Sequence, residues 1–225
     1  MKKILIICVS ALLLTIGFFI FEDSRYMLIS MLIAVFSCIP FFIRFEKRDS
    51  SEREIVMVAV MTALTIAARF VFAAIAHFKP VTAIVIITGM YFGADAGFVT
   101  GAFTALISNF YYGQGPWTPF QMAIWGIIGF AAGIINRKGL LDKNKMLQIV
   151  FSALTGVIYS IAIDIVTTLE SGEFSIERYF LFILSSLPVM ATYAVSNVIF
   201  ILVLQKPIGK RLKRLKTKYG VYCKK

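Results

Sequence analysis

Residues 78–110 read FKPVTAIVIITGMYFGADAGFVTGAFTALISNF, and this stretch decides the fold. From 81 to 112 its only charged residue is Asp95. At about 1.5 Å per residue, one helix over that length would overshoot a hydrocarbon core of about 30 Å. Gly93, Ala94 and Asp95 offer a break in the middle. The stretch therefore predicts two short helices, 81–92 and 94–112, joined by a tight turn.

The composition is that of a membrane protein. Hydrophobic residues make up 59% of the 225 residues and charged residues only 16%, whereas soluble domains are nearer half and a quarter. The apolar runs are continuous rather than alternating, which favours membrane helices over a barrel. The net charge of +11 comes from basic residues between apolar runs, which is typical of cytoplasmic loops. We therefore expect an all-α integral membrane protein with no nucleic-acid partner.

The distribution of Lys and Arg predicts the topology. Loops 44–54 and 137–145 carry four basic residues each, so both are expected in the cytoplasm, with an even number of crossings between them. Both termini are then cytoplasmic, and 19 of the 23 Lys and Arg lie on that side against three outside. The predicted spans are 4–21, 27–45, 54–76, 81–92, 94–112, 119–136, 146–168 and 179–205.

Four regions follow from this map. Residues 1–45 hold two transmembrane helices, 46–53 form a cytoplasmic linker, 54–206 form a six-helix membrane domain, and 207–225 form a basic cytoplasmic tail. The first run, 4–21, is long and lacks a small-x-small cleavage site, which favours a retained span over a signal peptide. The tail either anchors the last helix or binds anionic lipid.

The sequence shows no pattern of residues that would support catalysis or metal binding. It has no Walker A motif and no Ser/His/Asp or paired-carboxylate set, so we expect no ATPase and no other enzyme in this chain. Cys8, Cys38 and Cys223 are scattered, and His77 is the only histidine. We therefore expect no disulfide framework, no metal site and no intrinsic cofactor, and interpret His77 as an interface residue.

The predicted outer surface combines aromatic rings with amide groups, mainly in the stretch GQGPWTPFQMAIWG at 113–126. A few polar groups among apolar rings are typical of a small-molecule pocket, although an interfacial aromatic belt would also place Trp and Tyr there. Pro116 and Pro119 fix the backbone, and Pro119 is suited to a helix start. The candidate substrate-binding residues are Arg69, Phe78, Lys79, Asn109, Tyr112, Gln114, Trp117, Gln121 and Trp125.

Arg69 lies within an apolar helix, where an ionisable side chain usually faces a cavity or a partner. Asp164 is the only carboxylate well inside a predicted span, at a similar depth. Arg69 therefore either binds ligand or forms a structural ion pair with Asp164.

Ala59, Ala63 and Ala67 recur every four residues and form one smooth stripe along a helix. Such a stripe lets another helix approach closely in lipid, either from within the bundle or from a partner. The repeats Gly97-x-x-x-Gly101 and Gly129-x-x-x-Gly133 are of the same kind, and we expect them to make internal contacts.

Three stretches together resemble the substrate-binding S component of an energy-coupling factor (ECF) vitamin transporter: the Ala59–Ala63–Ala67 stripe, FKPVTAIVIITGMYFGADAGFVTGAFTALISNF and GQGPWTPFQMAIWGIIGF. The resemblance covers about residues 52–206. It implies a six-helix bundle that binds a vitamin near its outer face, a separate membrane scaffold subunit, two cytoplasmic ATPases, and delivery by toppling in the bacterial plasma membrane. It also implies that the alanine stripe contacts the scaffold and that loops His77–Pro80 and Gly113–Thr118 close the pocket.

The two extra N-terminal helices depart from the family's pattern of about six spans. The loop at 113–118 is similar to that of cobalamin-type S components, so cobalamin is the first candidate ligand, with other vitamins and queuosine precursors open. The alternatives are a self-sufficient secondary transporter, which would need coupling-ion carboxylates near the midplane, and a lipid-modifying enzyme.

Overall fold

A computed structural model describes residues 26–46, 52–172 and 174–220, and within these ranges the chain is all-helical. The predicted first span, together with Cys8 and Cys223, lies outside the described residues. The helices are α1 (Tyr26–Glu46), α2 (Glu52–Val71), α3 (Val81–Phe92), α4 (Ala94–Tyr112), α5 (Trp117–Ile135), α6 (Leu140–Lys143), α7 (Lys145–Glu170) and α8 (Ile176–Tyr219), with a 3₁₀ turn at Asn136–Lys138. The predicted all-α membrane fold is confirmed.

The predicted break in the middle of 81–112 is present. Gly93 separates α3 from α4 with φ of 94°, a backbone conformation that glycine adopts without steric penalty. The Gly93 N–H donates to the Gly89 carbonyl at 2.9 Å and so closes the last turn of α3. All twelve residues of α3 are buried. At about 18 Å long, α3 is shorter than the hydrocarbon core, and protein rather than lipid surrounds it.

The glycine repeats of α4 and α5 make internal contacts, as the sequence predicts. A Cβ atom on Gly97 would overlap the backbone of Gly129, and one on Gly101 would overlap the backbone at Trp125. Gly133 approaches Ala94 in the same way. In lipid there is no hydrophobic driving force for apolar helices to associate. The van der Waals contacts made by this close backbone approach therefore stabilise the packing of α4 on α5.

The second of the two extra N-terminal helices, α1, is packed onto the bundle. Phe41 stacks on Phe98 of α4 with ring centroids 4.0 Å apart and meets Phe130 of α5 edge-on at 5.1 Å. Phe42 also contacts Phe98, at 6.1 Å, and Cys38 is buried. Helix α1 therefore covers one side of the α4–α5 pair.

Among the described residues, four helices are long and apolar enough to cross a membrane: Glu52–Val71, Trp117–Lys138, Lys145–Glu170 and Ile176–Tyr219. Helix α3 is apolar but shorter. Together with the buried α3 and the partly buried α4, these helices form a multi-pass bundle.

Helix α8 continues well beyond the last predicted span, which the sequence ended at 205. It has 44 residues, which is about 66 Å of helix and twice the hydrocarbon thickness. Gly209 and Leu212 are buried, so the extension packs on the bundle. Lys213 forms an ion pair with Asp142 at 2.6 Å, and Asp142 also accepts from Tyr91 at 2.7 Å. The first part of the predicted basic tail is therefore an ordered helix fixed to α3 and α6.

Candidate functional site

A cavity of about 430 Å³ lies at the end of the bundle where α2 and α4 end and α3 and α5 begin. Helix α2 and the loop that follows it contribute Arg69, Ala73, Ala76, His77 and Lys79. The remaining lining residues come from five further helices: Val81, Thr82, Tyr112, Gln121, Trp125, Tyr159, Tyr193 and Asn197. The volume falls within the range of about 300–1,000 Å³ that is usual for small-molecule sites.

Arg69 lies at the centre of the polar wall and is only 8% exposed. Its Nη1 donates to the Ser108 hydroxyl and, at 2.9 Å, to Oδ1 of Asn109. The guanidinium also lies 4.4 Å from the centroid of the Tyr112 ring and 5.2 Å from that of Trp125. These contacts restrict the rotation of the guanidinium, because one nitrogen is hydrogen-bonded and the planar group lies against two aromatic rings.

Asn109 connects Arg69 to the rest of the polar wall. Its side-chain nitrogen donates to Thr118 Oγ1 and to Gln121 Oε1, each at 2.9 Å. Gln121 in turn donates to the Tyr159 hydroxyl at 3.2 Å. The relay Arg69–Asn109–Gln121–Tyr159 joins α2, α4, α5 and α7 through groups that are buried or half-buried, and such satisfied networks fix one geometry.

Aromatic rings that adjoin the polar wall form a second part of the cavity lining. Trp125 and Tyr159 are stacked with their centroids 5.5 Å apart and their planes 9° apart. Tyr193 meets Tyr159 edge-on at 5.1 Å, and His77 meets Tyr193 edge-on at 5.4 Å. Four rings therefore present one continuous apolar surface with hydroxyl and imidazole groups at its edge.

Loop 72–80 is held against the aromatic surface at two points. His77 Nδ1 lies 3.0 Å from the Tyr193 hydroxyl, and the backbone of His77 has φ of 59°, which is uncommon for a residue other than glycine. Ser196 donates to the Lys79 carbonyl at 3.3 Å. Burial lowers the pKa of the Lys79 ammonium, and the charge of Arg69 lowers it further.

Five of the nine predicted substrate-binding residues line the cavity: Arg69, Lys79, Tyr112, Gln121 and Trp125. The other four do not. Asn109 lies behind the wall and positions Arg69 and Gln121. Phe78 packs on Phe200, with ring centroids 5.0 Å apart.

The other two residues outside the cavity lining belong to the loop before α5. Gln114 is exposed and donates to the Leu106 carbonyl at 2.9 Å. The Trp117 ring covers Gly115, where a Cβ atom would overlap it. Thr118 donates its backbone N–H to the Gly115 carbonyl at 2.9 Å, so this turn is closed on itself. Both side chains stabilise the turn rather than face the cavity.

Four important lining residues are missing from the prediction: His77, Tyr159, Tyr193 and Asn197. His77 is interpreted from the sequence as an interface residue, in a loop that the family resemblance expects to close the pocket, and the structure places it in the cavity lining. Tyr193 and Asn197 are four residues apart on α8 and so share a face. That spacing of two polar groups in an apolar helix is a sequence signal from which Tyr193 and Asn197 could have been predicted.

Arg69 and Asp164 do not form the proposed ion pair. Asp164 accepts a hydrogen bond from Ser186 at 2.6 Å, and no ion pair joins the two side chains in the part of the chain that is described. Of the two roles that the sequence left open for Arg69, the ion pair is not formed, because similar depth in the membrane does not place two residues on facing sides of their helices. Arg69 points toward α4 instead.

The alanine stripe lies on the outside of the described bundle. Ala59, Ala63 and Ala67 are all exposed, next to the exposed Val60 and Leu64. Within the described residues the stripe makes no internal helix packing, which leaves this face of α2 open.

A multi-pass helical bundle with a cavity of aromatic, amide and cationic groups is the architecture of a membrane protein that binds a small molecule. A family model described as ECF-type riboflavin transporter, S component, matches residues 49–214. The chain belongs to this family. Its members are substrate-binding subunits of vitamin transporters that work with a scaffold subunit and ATPases, and they are not enzymes.

Comparison with curated proteins gives no match, and comparison with solved structures gives none either. The match begins at residue 49, so it covers the bundle from α2 to most of α8 and leaves α1 out.

Proposed function

We propose that this chain captures a flat heteroaromatic micronutrient of the flavin class from outside a bacterial cell. It would deliver the ligand by toppling while docked to a scaffold subunit with two cytoplasmic ATPases. The observation that carries the substrate class is the cavity itself. It has about 430 Å³ of space against a continuous aromatic surface built on the stacked Trp125–Tyr159 pair.

The size and chemistry of the cavity favour a flavin over the cobalamin suggested by the loop sequence. A conjugated tricyclic ring with a short polyol chain suits a volume in the lower half of the usual range for small-molecule sites. A corrinoid with its amide arms is several times larger. The aromatic surface offers stacking, while Gln121, Asn197 and Thr82 offer hydrogen bonds to ring carbonyls and hydroxyls.

The exposed face of α2 supports docking to a scaffold. Ala59, Ala63 and Ala67 give this face a smooth surface on which another helix can approach closely. The cavity and the face use different sides of α2, since Arg69 is buried and the alanines are exposed. Binding and coupling are therefore separable functions of one helix.

The topology proposed for this function puts the cavity outside and both termini in the cytoplasm of the bacterial plasma membrane. The basic loop at 137–145 and the basic extension of α8 support this orientation by the positive-inside rule. The extension is joined to Asp142 by Lys213, so the two basic regions lie on one side of the bundle.

The test uses the purified full-length chain and the reconstituted complex. We expect riboflavin to bind the chain alone and quench tryptophan fluorescence, with cobalamin a poor competitor. We expect Ala63→Phe to leave binding unchanged and to abolish ATP-dependent uptake with scaffold and ATPases, because the bulky ring blocks helix approach. Ala191→Phe, at an exposed alanine on α8, is the matched control and should change neither.

Two results would contradict the proposal. Tight cobalamin binding with no flavin binding would overturn the substrate class. Uptake by the chain alone, driven by a proton or sodium gradient, would show that it works as a secondary transporter and not as an S component.

A further inference from the structure

We propose that the cavity selects an anionic ligand, and that Arg69 and Lys79 together hold a phosphate or carboxylate group attached to the heteroaromatic ring. This inference rests on the proposed function, since it takes the same cavity as the substrate site. It goes beyond that function because riboflavin itself is neutral.

The first argument is the charge of the wall. Arg69 and Lys79 line the cavity, and no carboxylate is among the lining residues. Arg69 is more than nine-tenths buried, yet its hydrogen bonds in the described structure reach only the neutral side chains of Ser108 and Asn109. A buried cation without a counter-charge is costly in a membrane protein. A ligand anion would supply that counter-charge.

The second argument is the free geometry of the guanidinium. Both of its hydrogen bonds use one nitrogen, Nη1. The other two nitrogens have no hydrogen-bond partner among the described residues, although Arg69 lines the cavity. Two adjacent N–H groups in one plane form the fork that pairs with two oxygens of a carboxylate or phosphate.

The third argument is the closeness of the two cations. The Arg69 guanidinium lies 4.4 Å and the Lys79 ammonium 4.9 Å from the centroid of the same ring, that of Tyr112. Each cation therefore lies in the field of the other, and the Arg69 charge contributes to lowering the pKa of Lys79. An anion in the cavity would be attracted by both charges, whereas a cationic ligand would be repelled by both.

The experiment compares ligands that differ only in charge, using the purified full-length chain in lipid nanodiscs. The matched pairs are riboflavin with riboflavin 5′-phosphate, and pterin with pterin-6-carboxylate. We expect the anionic member of at least one pair to bind roughly tenfold tighter or more, since hydrogen bonds to charged groups are stronger than neutral ones. Isothermal titration calorimetry gives both affinities.

Variants then assign the preference to the two side chains. Lys79→Gln and Arg69→Gln should each reduce the ratio of anionic to neutral affinity several-fold. Arg69→Lys keeps the charge and should retain part of the ratio, which separates a charge effect from a folding defect. Lys138→Gln removes an exposed charge at the other end of α5 and should leave the ratio unchanged.

The outcomes separate this inference from the proposed function. Riboflavin bound as tightly as its phosphate, with no preference in the pterin pair, would overturn the anion inference and leave the flavin site standing. Preference for pterin-6-carboxylate without flavin binding would support the anion inference and overturn the flavin class. No binding by either anionic compound would overturn the inference.

Discussion

Replacing Asn109 with Leu tests the relay that positions Arg69. Leucine has nearly the same shape as asparagine without its polar atoms. The change removes one hydrogen bond to a cation and two to neutral groups, Thr118 and Gln121. A hydrogen bond to a charged group contributes about 1.5–3 kcal/mol and a neutral one about 0.5–1.5 kcal/mol.

The loss is smaller than the sum of the three bonds because each partner keeps a second contact. Arg69 still donates to Ser108, Thr118 still accepts from the Gly115 N–H, and Gln121 still donates to Tyr159. We therefore expect a net cost of about 2–3 kcal/mol, dominated by the Arg69 bond. If that cost appears in ligand binding, affinity falls roughly 30- to 150-fold.

The assay is calorimetric titration with riboflavin 5′-phosphate, together with thermal unfolding of the same samples. Gln114→Leu is the matched control, since it removes an amide of the same region that is exposed and outside the cavity. We expect less than a threefold change for the control. Unchanged affinity in Asn109→Leu would refute the idea that the relay positions Arg69.

Three further perturbations address packing, pH and the loop. Gly97→Val should lower the unfolding temperature sharply, since its side chain overlaps the Gly129 backbone, whereas Ile107→Val on the exposed side of α4 should not. Burial raises the pKa of Asp142, but hydrogen bonds from Lys213 and Tyr91 lower it by more. The group therefore stabilises the fold at neutral pH, and this contribution is lost as pH falls below the ordinary carboxyl pKa of about 4, so Asp142→Asn should flatten the acid limb of a stability-against-pH curve. Tyr193→Phe should weaken ligand binding about three- to tenfold by releasing His77, while Tyr111→Phe, at an exposed ring outside the cavity, should have no effect.

The helices were largely predictable because apolar runs and glycine breaks are local signals. Residues 81–92 and 94–112 match α3 and α4 at both ends. The end of α8 was not predictable in the same way. A run of Lys and Arg signals the edge of the membrane, but those residues are also good helix formers, so the helix continues through them to Tyr219.

The site was predicted where the residues lie near one another in the chain and missed where they come from distant helices. Tyr112, Gln121 and Trp125 flank one turn, and all three line the cavity. Tyr159 and Tyr193 are supplied by α7 and α8, far along the chain from the loop at 113–118. On α8 the spacing of Tyr193 and Asn197 marks a polar face, but only the packing of the helices shows that this face lines the cavity. Arg69 and Asp164 form no ion pair for the same reason: their side chains point in different directions around their helices.

The complete burial of α3 has a consequence for how the protein is made. A helix of twelve residues cannot by itself bridge the hydrocarbon core, and it has no lipid-facing side on which to rest. It therefore depends on α4 and α5 for its entry into the bilayer, so membrane insertion and tertiary folding are one step for this part of the chain. Substitutions at Gly97 or Gly129 would therefore reduce the amount of correctly inserted protein, because chains that fail to insert α3 are retained or degraded at the translocation machinery.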